Sequence, residues 1–169
     1  MKSATPAMVA LDTASIRYVA HAFDHDVAIS SDVGYGKAAA AALGVSEERV
    51  FKTLLARADR DFVVAIVPVN TTVSLKALAS ALGVKRCEMA RPEDAQRVTG
   101  YVVGGISPFG QKKLLATVID ESCTAFDTIY VSGGRRGLDL EVAPNDLVTV
   151  LRARSAAIAQ FENRSVKEG

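Results

Sequence analysis

The chain has 169 residues, 49% of them hydrophobic, with 20 basic side chains against 19 acidic and a net charge of +1. That length is a prior for one domain with a sizeable core, and the ordinary composition excludes a highly charged disordered chain. The near balance also argues against gripping nucleic acid by bulk charge alone, because non-specific affinity grows with the phosphates neutralised. Trp is absent and ten aromatics in all offer no stacking platform for RNA. Cys87 and Cys123 form no Cys-x-x-Cys, so neither a disulfide framework nor a thiolate zinc site is suggested. No signal-like segment opens the chain, and charge interrupts every apolar stretch before it could span a bilayer. The expectation is a cytoplasmic protein with reduced thiols and no membrane partner.

In chain order, Thr5-Pro6 reads as a cap and first residue of a helix through about Thr13, and Ile16 to Phe23 as a strand. Gly36 to Leu43 holds five consecutive alanines and stops at Gly44, the mark of a helix with a glycine end. Val50 to Ala56 and Phe62 to Pro68 flank the polar turn Asp59-Arg60-Asp61 and predict a β-hairpin buried on both faces. Ser74 caps a helix carrying Leu75, Leu78, Ala79 and Leu82 and closed by Gly83; a further helix starts at Pro92 and stops before Gly100. Strands are expected near Ala116–Ile119, Thr128–Val131 and Leu138–Val142, with a last helix opening at Pro144 or Asn145. From about Phe161 the chain is a polar tail. Helices interleaved with hairpins predict a single α+β domain on a mixed sheet, not a doubly wound fold.

Three places could carry chemistry. Lys52 sits inside an apolar strand pattern, on one face with Val50 and Leu54, while Phe51, Thr53 and Leu55 face the other way. Two readings are open: an edge-strand lysine that blocks aggregation or reaches water, or a lysine in a pocket orienting an anionic or carbonyl-bearing substrate. The stretch Gly100 to Gly110 pairs adjacent glycines with Ser107-Pro108. It is either a tight structural turn or a loop whose N–H groups clamp a carbonyl, and it lacks both phosphate-loop spacings. The segment Tyr130 to Glu141 reads as strand, glycine turn with Arg135-Arg136, and returning strand; Asp139 either pairs with a basic group or stays exposed. His21, Asp24, His25 and Asp26 invite a metal check, but the chain has no third histidine, so a polar strand end is expected and no metal. No Gly-x-Ser-x-Gly elbow supports a serine triad, and Cys87 reads as a small buried residue.

Val50-Phe51-Lys52-Thr53-Leu54-Leu55, residues 100–113 and residues 129–141 together closely resemble, in the same order, the YbaK/EbsC family of trans-editing proteins. The likeness runs from about Pro6 to Ile158, and its most specific piece is Gly104-Gly105-Ile106-Ser107-Pro108, similar to the family's Gly-x-x-x-Pro loop. The family is related to the editing domain of bacterial prolyl-tRNA synthetases. The resemblance implies a barrel-like mixed β-sheet surrounded by helices over residues 1–160, with 161–169 as the tail. It implies hydrolysis of mischarged Cys-tRNA(Pro), needed because a single pocket separates near-isosteres by only about 1–3 kcal/mol. Lys52 would then hold the aminoacyl-adenosine end, and the backbone of Gly104, Gly105 and Ile106 would clamp the carbonyl or ribose. Thr53, Ser107, Pro108, Ser132 and Asp139 match substrate-binding positions, Tyr35 an aromatic at the mouth, and Phe23 a place where many relatives carry tyrosine. No cofactor is implied. The set holds no obvious general base, which fits the mechanism attributed to the family, in which the substrate's own thiol attacks the ester. Alternatives are a deacylase for Ala-tRNA(Pro) or another small mischarged residue, and a non-catalytic tRNA- or synthetase-binding module. Residues 63–137 hold nine basic against six acidic side chains, with Lys85-Arg86, Lys112, Lys113, Arg135 and Arg136 as candidate tRNA contacts. So modest a patch predicts weak, salt-sensitive binding to the acceptor end of tRNA(Pro), with prolyl-tRNA synthetase supplying specificity in a transient complex.

Overall fold

A Thr-Pro pair starts the first helix. In the computed structural model, which describes residues 3–24 and 34–161, Thr5 Oγ1 accepts the N–H of Met8 at 3.2 Å and α1 runs Pro6–Thr13. Strand β1 is only Val19–Ala22, because Ile16 is drawn back onto the end of α1, its N–H on the carbonyl of Leu11. The alanine-rich α2 (Tyr35–Leu43) stops at Gly44, and a single 3-10 turn, Glu47–Arg49, leads into the hairpin β2 (Phe51–Ala58) and β3 (Asp61–Pro68). Ser74 caps α3 (Leu75–Leu82), and α4 (Pro92–Thr99) begins at its proline. Strands β6 (Ala116–Asp120), β7 (Ile129–Arg135) and β8 (Leu138–Val142) precede α5 (Pro144–Leu151). Four three-residue strands had no clear sequence signal: β4 (Thr71–Val73), β5 (Cys87–Met89), β9 (Arg154–Ala156) and β10 (Ala159–Phe161). Phe161 is therefore the end of a strand, and the rest of the expected tail, like His25 and Asp26, lies outside the described residues.

The α+β class is as expected, but the strands do not close into a barrel. Among the described residues they form three sheets: β5-β2-β3-β6-β9, β1-β8-β7 and the pair β10-β4. The five-stranded sheet is mixed, antiparallel at β2–β3 and β2–β5 but parallel at β3–β6 and β6–β9. Its lower edge is fastened by Asp120, which accepts the N–H groups of Ile158 and Ala159 at 3.0 and 2.8 Å and that of Ser122 at 3.1 Å. The main core gathers Phe51, Leu55, Ile66, Phe109, Ile119, Ile129, Leu140 and Leu147 between the two larger sheets and the helices.

The junction of those sheets positions the site. A single parallel bridge joins Val50 to Tyr130. Past it the two ladders part, β2 pairing with β3 and β7 with β8. Lys52 is the second residue beyond the bridge on β2, and Ser132 the second on β7. β2 is not an edge strand of its sheet, contrary to one of the readings open for Lys52. Its partner β5 reaches only Ala56–Ala58, however, so around Lys52 one side of the strand is left to the fork.

Candidate active site

The fork encloses a cavity of about 320 Å³. β2 contributes residues 51–55, β7 and β8 contribute Ser132 and Asp139, and α2 contributes Tyr35 and Gly36. Val103, Gly104 and Ile106 come from the glycine loop, Arg136 and Gly137 from the β7–β8 turn, and Phe23 from the end of β1. Most of the wall is apolar, with a few polar groups converging on it, the usual build of a small-molecule site. Both Lys52 and Thr53 line it although they alternate along the strand, because the cavity abuts the open side of β2.

The polar groups differ in how they are held. Asp139 faces Ser132 across the β7–β8 ladder, is only 6% exposed, and makes no hydrogen bond among the described residues. Loss of hydration pushes its carboxyl up from 3.8 to about 7. The expectation that Asp139 pairs with a base or stays exposed is therefore corrected: packing around the cavity buries it, with no basic partner among the described residues. Thr53 Oγ1 is likewise buried with no partner among the described residues. Ser132 Oγ accepts the N–H of Gly134 at 3.2 Å, which leaves its own proton available.

The loop over the cavity is shaped by its glycines. Gly104 has φ +88°, and a Cβ there would lie 2.8 Å from the Tyr35 ring; a Cβ on Gly105 would meet the backbone of Arg135 at 2.9 Å. Gly105 donates its N–H to the carbonyl of Val102 at 2.9 Å and does not line the cavity, so that donor is engaged in closing the turn. The N–H groups of Gly104 and Ile106 meet no acceptor among the described residues, and both residues line the cavity. Ser107 and Pro108 lie behind the loop. Ser107 is fully buried, its Oγ accepting the N–H of Phe109 at 3.2 Å, and Pro108 borders a separate cavity with Lys113. Tyr101 braces the far end through a 2.6 Å bond from its hydroxyl to the carbonyl of Phe109; burial pushes that phenol up to about 12.

The basic residues have different local partners. Lys112 is exposed with Nζ 3.1 Å from the Arg97 carbonyl, Lys113 is exposed beside the second cavity, and Arg135 donates to the carbonyl of Ser3 at 3.1 Å. Arg136 belongs to the cavity wall. So do Met89, Ala90, Pro92 and Ala95, a wall formed by β5 and α4 that sequence reasoning missed because a three-residue strand carries no periodicity. His21 is committed to Glu141, its Nε2 2.9 Å from Oε1. Among the described residues no group of three or more His, Cys, Asp or Glu is placed to hold a metal ion, and no helix is long and apolar enough to cross a membrane.

A sequence model described as the aminoacyl-tRNA editing domain matches residues 32–150, well over half the chain and every wall of the cavity except Phe23. The chain belongs to the aminoacyl-tRNA editing domain family. Its class of activity is thus aminoacyl-tRNA deacylation. A relative in Enterococcus faecalis, 36% identical over 140 residues (82% of this chain and 85% of that one), bears the provisional name Cys-tRNA(Pro)/Cys-tRNA(Cys) deacylase EbsC. The proline–tRNA ligase of Streptococcus suis is 30% identical over 112 residues, 61% of this chain but 18% of that enzyme. The editing fold is also that of a crystal structure described provisionally as a trans-editing enzyme for prolyl tRNA synthetase. That structure has a TM-score of 0.76 at 20% identity, covering 92% of this chain and 95% of the other.

Proposed function

We propose that this editing domain hydrolyses Cys-tRNA(Pro), with the substrate's own thiol as the first nucleophile. The observation that carries the reading is that, among the described residues, no cysteine and no histidine lines the cavity. Cys87 lies on β5, Cys123 is buried in the core, and His21 is bonded to Glu141. The cavity instead offers a cation at Lys52, the N–H groups of Gly104 and Ile106, and a carboxyl at Asp139 that titrates near neutrality. Such a set positions and polarises; it has no activated nucleophile of its own.

In this mechanism the thiol of the bound cysteine loses its proton and its sulfur attacks the ester carbonyl. The developing oxyanion is met by the Gly104 and Ile106 N–H groups, with Lys52 adding positive potential. The carbon–oxygen bond to the terminal ribose breaks, the ribose oxygen takes up a proton, and the cysteine leaves as a four-membered thiolactone that water opens to the free amino acid. Asp139, near its midpoint at pH 7, suits the proton transfer between sulfur and ribose oxygen. Holding thiol and carbonyl together supplies several kcal/mol that no enzyme nucleophile has to provide. Lys112, Lys113 and Arg135, exposed or half-exposed outside the cavity, are the candidate contacts for the acceptor end. So few phosphate contacts leave recognition of tRNA(Pro) to prolyl-tRNA synthetase in a transient complex. The reading is supported by the name of the Enterococcus relative and by the likeness to the ligases.

The deciding experiment supplies purified protein with tRNA(Pro) charged with cysteine, alanine or serine. Release of cysteine but of neither other residue is expected, since alanine has no nucleophile and the serine hydroxyl is a poor one. Release of alanine at a comparable rate moves the reading to a deacylase that activates water. Binding without release of any residue makes the protein a non-catalytic module.

A further inference from the structure

Arg136 ties together three segments that meet at one wall of the cavity. Its Nε donates to the carbonyl of Val103 at 2.9 Å, and its guanidinium carbon lies 4.8 Å from the centroid of the Tyr35 ring. Tyr35 in turn packs directly on Gly104, where even a methyl group would come within 2.8 Å of the ring. From the other side Val103 is held by α4, its N–H donating to Gln96 Oε1 at 3.0 Å. The β7–β8 turn, the start of α2 and the glycine loop therefore form one stack, and Arg136, Tyr35, Val103 and Gly104 all line the cavity. A planar guanidinium can lie over a ring while one N–H reaches a carbonyl; an ammonium cannot do both in the same geometry.

We propose that Arg136 is a positioning residue for the editing reaction. Through the Val103 carbonyl and the Tyr35 ring it fixes the orientation of residues 103–106, and with it the aim of the Gly104 and Ile106 N–H groups at the reacting carbonyl. This rests on the hydrolytic reading above and differs from a phosphate contact, the role expected for Arg136 from charge alone. Its neighbour Arg135 makes the contrast: it reaches away to Ser3 and does not line the cavity. Gly104 thus has a second reason to be glycine, since the ring on which Arg136 lies occupies the place of its side chain.

The test compares wild type with Arg136→Lys, Arg136→Ala and Tyr35→Leu on two substrates, Cys-tRNA(Pro) and cysteine esterified to adenosine, which carries no phosphate. Both arginine variants are expected to lower kcat about tenfold or more on both substrates while KM moves less than about threefold. The doubly substituted Arg136→Lys/Tyr35→Leu protein should lose little beyond the worse single variant, because both changes release the same loop. Normal kcat in Arg136→Lys overturns the proposal. So does a defect confined to KM on full tRNA, which would make Arg136 a phosphate contact. Amide hydrogen exchange at Val103 and Gly105, whose N–H groups are hydrogen-bonded, gives a readout independent of catalysis: faster exchange in Arg136→Lys is expected, and unchanged exchange overturns the proposal. If wild type releases cysteine from neither substrate, the editing reading fails, and the exchange measurement still decides whether Arg136 holds the loop.

Discussion

Asp139 and Glu141 stand two residues apart on β8, on the same face of the same sheet, and are treated in opposite ways. Glu141 accepts from Thr128 Oγ1 and lies 2.9 Å from His21 Nε2, with Arg49 3.8 Å away. Hydrogen bonds from Thr128 and then His21 hold its carboxyl below the usual range, against some loss of hydration. Arg49 is itself fixed over the Tyr130 ring at 5.2 Å and on the Thr128 carbonyl. Asp139 has no such company among the described residues, and burial pushes it up to about 7. The fold had donors within reach of this face and used them on the acid that lies outside the cavity. In the proposed mechanism the buried carboxyl with no partner among the described residues is the working acid, and the satisfied one beside it is scaffolding.

The largest effects should come from the cavity side of this contrast. Asp139→Asn is expected to lower kcat/KM about hundredfold or more, as loss of a positioned acid–base group does. Its effect on stability has the opposite sign. With the folded value near 7 and the unfolded value near 3.8, the unfolded chain gives up its proton first. Wild-type stability therefore falls as pH rises from about 4 to about 7 and is level above that. At roughly 1.4 kcal/mol per unit the cost at pH 8 is at most about 4 kcal/mol. Asp139→Asn removes that slope, so its thermal midpoint should gain on wild type between pH 4 and pH 8. Identical slopes in the two proteins would show that Asp139 is not held in its neutral form. Lys52→Ala should cut turnover by about a hundredfold with little change in thermal midpoint, because it removes an electrostatic contact made in the transition state and leaves core packing intact. Near-normal turnover in that variant would remove Lys52 from the mechanism.

The elements of this contrast were unequally legible in the amino-acid pattern. The caps at Thr5 and Ser74, the glycine stops at Gly44, Gly83 and Gly100, and the β2–β3 hairpin are local and were expected within a few residues. Alternation along β8 puts Asp139 and Glu141 on one face. It could not tell which would be paired, since the partners come from Thr128, His21 and Arg49, up to 120 residues away. The fork at the Val50–Tyr130 bridge is a tertiary event with no local signature, so the barrel implied by resemblance gave way to separate sheets. The same holds for Gly105, Ser107 and Pro108: the motif is plain in the sequence, but only the turn shows that they shape the loop from behind while Gly104 and Ile106 face the cavity.

The paired side of the contrast should yield small effects confined to stability. Glu141→Gln keeps the shape and removes the charge. Since the folded carboxyl sits below its ordinary 4.5, its contribution is present above that pH and fades as pH falls through the folded value. The variant should be destabilised by about 1 kcal/mol at pH 7 and by progressively less as pH falls through the folded value, a modest figure because Glu141 is 22% exposed. His21 is 31% exposed and its amide replacement can still donate. His21→Gln should therefore cost less, with a coupling to Glu141 of about 0.5 kcal/mol in a double-mutant cycle. His21 is also the ladder partner of Asp139, which makes it the sharpest check on dividing one sheet face into working and supporting acids. If His21→Gln leaves kcat within about twofold of wild type, the division holds at the resolution of a single cross-strand pair. A loss approaching that of Asp139→Asn would mean that the hydrogen-bonded network extends into the cavity, and that Glu141 belongs to the reaction through His21.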